Sequence, residues 1–595
     1  MHILKVRTFI MALVYKINKE VGTPMPTFKR ELSLTLGGEA GQGIQTIEYL
    51  LAHLLKAAGY HLYATKEYMS RVRGGSNSTT LRVGEKSIAA PCDRIDILIP
   101  LDKDAISHLQ NRISPQTLIL GDKSRLGEDF PLIDVPLEKL AEQAGSKIMA
   151  NTVAAALVCG LMELDVGLLN QFLSSYFTSK GPEIIRQNLA AAALGLEWGA
   201  KIARQEHIKI AIKPKPEVKN QILLNGAEAI ALGAVAGGCN FVSAYPMSPS
   251  TGIFTALAQN AEKFGLVVEQ AEDEISAVNM ALGAWYAGAR ALVPTSGGGF
   301  ALMVEGISLA GMLETPLVIS LGQRPGPATG LPTRTEQADL EFALYGGHGE
   351  FPRIILAPGN LQEAFHLTAR AFDMADRFQT PVIILSDQYL VDAYHNTEKP
   401  DLSSIKPENH FIKTRADYQR YELTQDCISP RGIPGFGEGL VCVDSDEHDT
   451  GAHITEDLEI RSQMVEKRLK KLKLIKKTAL PPTLLGKADY KNLIIAWGSN
   501  YQVVKEALET MNLKDTAFLH FSQLHPLPGK TAGLLAKAKK LIIIENNATC
   551  QFGKLIQLET GIKIENRILK YNGLPFTVEE ITKKLKKLLE GGLEK

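Results

Sequence analysis

Residues Gly265 to Met303 read GLVVEQAEDEISAVNMALGAWYAGARALVPTSGGGFALM, and this stretch decides the fold class. An apolar run, Leu266 to Val268, ends in an acidic cluster of Glu269, Glu272, Asp273 and Glu274. Small residues at helical spacing follow (Ala277, Ala281, Ala284 and Ala287). A second apolar run from Ala291 to Val293 then breaks into Ser296-Gly297-Gly298-Gly299 before another helix pattern. Strand, helix, strand, glycine turn and helix is the rhythm of a parallel sheet covered by helices. Ligands of such sheets sit beyond the carboxyl ends of the strands, here the acidic cluster and the glycine turn. Both features also have an ordinary structural reading. Carboxylates open helices because they oppose the positive end of the helix dipole, and glycines close tight turns. No GxxxxGK[ST] pattern is present, so a phosphate-cradling P-loop has no support.

Working outward, 595 residues imply several domains, since single cores rarely exceed roughly 250–300 residues. Lys plus Arg and Asp plus Glu are 65 each, so no net charge steers the protein toward nucleic acid or an anionic membrane. No apolar run approaches the roughly 20 residues that span a bilayer. The start carries a basic flank and an apolar patch from Phe9 to Tyr15, but Lys16 and Lys19 stand where a signal-peptide cleavage site belongs. A cytoplasmic chain with a short extension is the expectation. Cys92, Cys159, Cys239, Cys427, Cys442 and Cys550 are widely spaced with no CxxC pair, which removes support for a disulfide framework, a zinc ribbon or a cysteine-rich iron–sulfur motif.

After an N-terminal extension (1–30), a first α/β domain is expected over 31–205. Its strand Leu32 to Leu36 runs into Gly37-Gly38-Glu39-Ala40-Gly41-Gln42-Gly43, and the next helix lines up Ile47, Leu50, Leu51, Leu54 and Leu55. Free amides at such a helix start suit a phosphate. The glycine-rich loop around Arg71 and Arg73 is a second anion-facing candidate. A Pro- and Lys-bearing linker (206–220) leads to a second domain, 221–395. There the strand Phe241 to Ala244 precedes Tyr245-Pro246-Met247-Ser248-Pro249-Ser250, whose prolines restrict the backbone around one hydroxyl. The segment Gly322 to Leu340, GQRPGPATGLPTRTEQADL, is a long, sparsely charged loop, a kind that is usually functional. Residues 396–489 form an irregular connection. Asp444 to Asp457 fails as a calcium loop because Asp449 and Thr455 replace the turn glycine and the bidentate Glu. Val465, Leu469, Leu472 and Ile475 predict an amphipathic helix with a solvated basic face. The last domain, 490–595, is again α/β, with polar tips Gly498-Ser499-Asn500 and Glu545-Asn546-Asn547 after its strands.

Taken together these segments resemble the α subunit of the 2-oxoacid:ferredoxin (acceptor) oxidoreductases, of the kind with a γ subunit fused at the N-terminus, from Leu32 to the C-terminus. GGEAGQG and EYMSRVRGGSNS look like the γ domain. The family's YPITPS motif stands here as Tyr245 to Ser250 with Met for Ile and Ser for Thr. EDEISA, TSGGGFALM, TGLPTRTEQADL and IENNATCQFG complete the set in order. Gly298 replaces a proline usual in the TSGPG pattern, a change expected to be tolerated.

The resemblance implies a multidomain α/β fold: a γ-type domain, a pyrimidine-binding domain for thiamine diphosphate, and a transketolase C-terminal-like domain. It implies oxidative decarboxylation of a 2-oxoacid, transfer of the acyl group to coenzyme A, and electrons passed through iron–sulfur clusters to ferredoxin. Glu274 aligns with the carboxylate that bonds the aminopyrimidine N1′ and favours its imino tautomer, with Glu272 as runner-up. Ser248 and Arg334 are expected to meet the substrate, Arg334 because its planar fork suits a carboxylate. Tyr245, Pro246, Ser248, Pro249, Glu274, Ser296 and Gly297 are the expected cofactor-binding set. No metal site is expected in this chain. It has no GDG motif followed by a distant Asn, so a β subunit is expected to hold Mg2+, the diphosphate and the iron–sulfur cluster, in an αβ or α2β2 assembly. The γ–α arrangement resembles 2-oxoglutarate enzymes most. The alternatives are pyruvate or branched-chain specificity, a non-catalytic thiamine-enzyme paralogue acting as a binding or regulatory subunit, and a complete transketolase-type enzyme, which the absent GDG motif disfavours.

Overall fold

The computed structural model describes residues 27–70, 75–127 and 130–590. The readings of Phe9 to Tyr15 and of Arg71 and Arg73 fall outside these residues. The chain divides into two compact units, residues 1–224 with 393–399, and residues 225–392 with 400–595.

The first unit is built on an eight-stranded sheet in the order Ile133–Asp134, Leu118–Gly121, Ile97–Pro100, Glu31–Glu39, Ser76–Gly84, His61–Glu67, Tyr394–Thr397, Ile222–Asn225. Leu34 pairs in parallel with Ile97 on one side and antiparallel with Leu81 on the other, so the sheet is mixed. The central strand continues through Gly37 and Gly38 to Glu39 before the turn. Ile47, Leu50, Leu51, Leu54 and Leu55 of the helix Ile44–Ala58 are all buried, as their spacing predicts. The helices Ala150–Leu161 and Pro182–Gln205 approach closely because their facing residues are small. A methyl at Gly195 would stand 2.5 Å from the Val153 carbonyl oxygen. Tyr394–Thr397 returns from far along the chain and pairs antiparallel with His61–Glu67.

In the second unit a seven-stranded sheet runs Val267–Gln270, Phe241–Ala244, Ala291–Ser296, Leu317–Gln323, Pro381–Asp387, Ile354–Leu356, Gln523–His525. All neighbours are parallel except the last pair, Ile355 opposite His525. The three central strands from Ala291, Leu317 and Pro381 are buried at every position, which matches their continuous apolar runs. Val267–Gln270 is the edge strand and leaves Val267 57% exposed. A five-stranded sheet follows in the C-terminal segment, with Asn492–Trp497 in parallel between Thr516–Phe521 and Lys540–Glu545.

The helix Leu458–Lys477 departs from its predicted solvated basic face. Lys467, Arg468 and Lys471 are buried, while Leu469 is exposed. The reason is a buried acid far off in sequence. Glu314 forms ion pairs with both Lys467 and Lys471, and Arg468 pairs with Glu447 at 2.8 Å. Burial alone would raise the Glu314 pKa. Lys471, Lys467 and Arg420 more than offset it and hold the carboxyl below the ordinary range. Burial in turn lowers the Lys471 pKa to about 8 despite its partner.

Candidate functional site

The acidic cluster resolves into separate tasks. Asp273 takes an extended backbone and its Oδ1 accepts from Ser276 N at 2.7 Å, capping the helix Glu274–Tyr286. The helix-start role thus falls to Asp273. Glu269 and Glu272 are exposed. Glu274, the first residue inside the helix, is turned into the protein with 2% exposure, and its Oε1 has no hydrogen-bond partner. Burial raises its pKa, and the neighbouring Asp273 charge adds to the shift. A buried, unpartnered carboxylate oxygen is costly, and such atoms in folded proteins call for a partner.

The glycine turn stands directly against it. A methyl at Gly299 would lie 2.5 Å from Glu274 Oε1 and collide with Thr295 Oγ1, so only glycine lets this helix start approach the carboxylate. A methyl at Gly297 would lie 2.6 Å from Asp339 Oδ2. Gly298 is different: a methyl there would meet nothing nearer than Met247 Sδ of the Tyr245 to Ser250 segment, at an ordinary contact distance of 3.7 Å. Ser296 makes no capping bond to the helix Gly297–Met312, and its buried Oγ is also unpartnered.

The Tyr245 to Ser250 segment follows the strand Phe241–Ala244. Ser250 Oγ donates to the Thr295 carbonyl, tying this segment to the strand that feeds the glycine turn. Pro249 is buried, Ser248 is exposed, and Tyr245 is 41% exposed. Arg324 Nη1 donates to the Ser248 carbonyl at 2.7 Å. Tyr245 to Ser250, Glu274, Ser296 and Gly297 therefore gather around one turn.

Arg334 lies elsewhere on the long loop. It is half-buried, with its amide donating to Leu331 O at 3.1 Å and its Cβ 3.2 Å from where a methyl on Gly573 would sit. Sequence reasoning passed over two residues that the structure brings to the turn, Arg324 and Asp339. Burial raises the Asp339 pKa to about 6 against the pull of Arg324. Their sequence signal was their place in the same loop as Arg334, at its two ends. Glu336, nearby in sequence, is raised by burial and by the Asp339 charge.

Comparison with known proteins gives the family. Residues 232–467 match the family described as "Pyruvate flavodoxin/ferredoxin oxidoreductase, thiamine diP-bdg", and residues 33–198 the family described as "Pyruvate ferredoxin/flavodoxin oxidoreductase". The 2-oxoacid:ferredoxin oxidoreductase subunit alpha of Sulfolobus sp is 32% identical, over 94% of this chain and 97% of its own length. A 2-oxoglutarate oxidoreductase subunit of Mycobacterium tuberculosis is 28% identical over 94% and 92%. The 2-oxoglutarate:ferredoxin oxidoreductase of Magnetococcus marinus, solved with 2-oxoglutarate, coenzyme A and succinyl-CoA bound, superposes with a TM-score of 0.87 at 30% identity, covering 94% of this chain and 99% of that one. Fold, site and similarity together define an oxidoreductase subunit. The chain belongs to the 2-oxoacid:ferredoxin oxidoreductase family, as an α subunit. No helix among the described residues is long and apolar enough to cross a membrane.

Proposed function

We propose that this chain holds the aminopyrimidine end of thiamine diphosphate and works with a β subunit to convert a 2-oxoacid, 2-oxoglutarate first, into CO2 and an acyl-coenzyme A. Electrons then pass to ferredoxin in the cytoplasm. The observation that carries this reading is the buried, unpartnered Oε1 of Glu274. The residues suit the cofactor: the buried carboxylate stands against a glycine turn, and Gly299 carries no side chain to displace it. When bound, thiamine diphosphate supplies the electron sink that lets a 2-oxoacid lose CO2.

Glu274 is suited to share a proton with a ring nitrogen, because burial already favours its protonated form. Tyr245, Pro246, Ser248, Pro249, Ser296 and Gly297 would hold the ring, with Ser250 tying the segment to the Thr295 carbonyl and Arg324 holding the Ser248 carbonyl. Arg334 and the Ser248 hydroxyl take the substrate, the guanidinium pairing with the 2-oxoacid carboxylate in bidentate fashion. The chain carries no GDG motif and no clustered cysteines, so Mg2+, the diphosphate and the iron–sulfur cluster fall to the β subunit of an αβ or α2β2 assembly. The choice of 2-oxoglutarate leans on the Magnetococcus marinus protein, whose structure contains 2-oxoglutarate and succinyl-CoA.

The test is coexpression with the β subunit and assay of several 2-oxoacids against a low-potential viologen dye. Turnover should require thiamine diphosphate and coenzyme A and be fastest with 2-oxoglutarate. The isolated chain should be colourless and inactive. Stoichiometric iron in the isolated chain, or turnover without thiamine diphosphate, would overturn the division of labour.

A further inference from the structure

The polar tips of the C-terminal strands, Gly498-Ser499-Asn500 and Glu545-Asn546-Asn547, play no part in the site above, yet most of them are buried and fully engaged. Three of them, Asn500, Asn546 and Asn547, share a partner in Gln337, three residues beyond Arg334 and wholly buried. Gln337 Oε1 accepts from Asn500 Nδ2 at 2.7 Å and from Asn546 N at 3.1 Å, while its Nε2 donates to Trp497 O at 3.1 Å. Its main chain is held as well, with its amide on Asn546 O at 2.7 Å and its carbonyl accepting from Asn547 Nδ2 at 3.0 Å. Asn547 is itself oriented by Glu545, whose Oε2 accepts from the same amide group at 2.7 Å.

Thr335 is pinned in the same way. Its amide donates to Gly573 O at 3.1 Å, and its Oγ1 accepts from Tyr389 N at 3.2 Å and bonds to Asp387. Asp387 also accepts from the Ser499 hydroxyl. One step further along, Gln551 Nε2 donates to Ala338 O at 2.7 Å. By contrast, Gly326 to Leu331 of the same loop are exposed. Arg334 thus sits where the free part of the loop meets the clamped part.

The C-terminal domain has another attachment besides these bonds. The strand Gln523–His525 already joins the large sheet beside Ile354–Leu356. What the Gln337 bonds fix is the path of the backbone just after Arg334. We propose that Gln337 is a positioning residue, through which the C-terminal domain sets the reach of Arg334 toward the 2-oxoacid carboxylate. The inference rests on the reading of Arg334 as the carboxylate ligand. It also assigns a task to these polar strand tips of the C-terminal domain.

The test uses the reconstituted complex with Gln337→Met, which keeps the length of the side chain but removes its hydrogen bonds. A misplacement near 1 Å lowers rates by up to about 100-fold, so kcat/KM for the 2-oxoacid should fall about 10- to 100-fold, with thiamine diphosphate affinity unchanged. Hydrogen exchange at the Thr335 and Gln337 amides should rise, while Ile354 to Leu356 stay protected. In an Arg334→Ala background the same substitution should add no more than about twofold, because residues acting through one another are not additive. Asn500→Ala, which removes one bond from the other side, should show a smaller loss that Arg334→Ala also absorbs; this keeps the test open if Gln337→Met does not fold. Multiplying losses in the double variant, or thiamine diphosphate affinity falling with kcat/KM, would overturn the inference while leaving Arg334 in place. Wild-type kcat/KM in Arg334→Ala alone would overturn the reading of Arg334 and this inference with it.

Discussion

The last two glycines of the turn, Gly298 and Gly299, make opposite predictions. Both lie in the first turn of the helix Gly297–Met312, and neither has a positive φ, so alanine suits the backbone at each position. On propensity alone each change should stabilise by up to about 0.5–1 kcal/mol. At Gly298 little opposes this, because the nearest atom to the new methyl is 3.7 Å away. At Gly299 the methyl would lie 2.5 Å from Glu274 Oε1 and 2.7 Å from its Cγ, besides colliding with Thr295. Ordinary contact needs about 3.5 Å, so the carboxylate must retreat by about 1 Å. Overpacking of this kind costs about 1–3 kcal/mol, more than the helix gain. A displacement of about 1 Å in a group that orients the reaction lowers the rate by about 100-fold. Gly299→Ala should therefore melt earlier and lose about 100-fold in kcat in the reconstituted complex, whereas Gly298→Ala should keep its kcat and melt no earlier than the parent. Thermal denaturation and steady-state assay at saturating cofactor separate the two. A Gly299→Ala enzyme with wild-type kcat would show that the Glu274 carboxylate has no fixed catalytic position.

Glu274→Gln keeps the shape but loses the shared proton, so kcat should fall about 10²–10⁴-fold with β-subunit binding intact, while Glu272→Gln, on an exposed side chain, should leave turnover near wild type. Arg334→Ala should cost about 2–5 kcal/mol in kcat/KM for the 2-oxoacid with little change in thiamine diphosphate affinity, and Arg334→Lys should recover only part; unchanged kcat/KM would move the carboxylate to another group. Lys471→Met leaves the buried Glu314 with Lys467 as its one ion pair, helped by the charge of Arg420, and should destabilise the second unit by about 3 kcal/mol, read by denaturant unfolding, without altering KM. Glu314 is held below its ordinary value of 4.5, so below that pH the unfolded chain binds more protons than the folded one. Its stabilising effect is present above pH 4.5 and drains away as pH falls beneath it; acid unfolding of Glu314→Gln should be less steep, and equal slopes would refute the assignment.

Local pattern carried the fold far. The continuous apolar run Ala291 to Val293 announced the strand Ala291–Ser296, because strands buried on both faces need no polar alternation. Ile47 through Leu55 announced the helix Ile44–Ala58 by spacing alone. Spacing misled at Lys467 and Lys471, where charge outweighed periodicity. Their partner, Glu314, lies some 150 residues earlier, and nothing local to the helix reveals it. The site was legible as a neighbourhood and not as a division of roles. The run Glu272-Asp273-Glu274 shows three acids, and only the cap on Ser276 and the burial behind it separate Asp273 from Glu274. Arg324 and Asp339 escaped notice because they meet Ser248 and Gly297 only once the sheet has brought the strand ends together.

The returning strand Tyr394–Thr397 has a consequence for synthesis on the ribosome. It lies between His61–Glu67 and Ile222–Asn225 in the sheet of the first unit, yet its code is read about 170 residues after Asn225. Translation at about 5–20 residues per second leaves that gap open for on the order of ten to thirty seconds. Throughout that time the nascent chain presents His61–Glu67 as an unpaired edge, the kind of surface on which strands of other chains dock. The first unit thus emerges first and is completed late, and shielding that edge falls to whatever accompanies the chain as it leaves the exit tunnel.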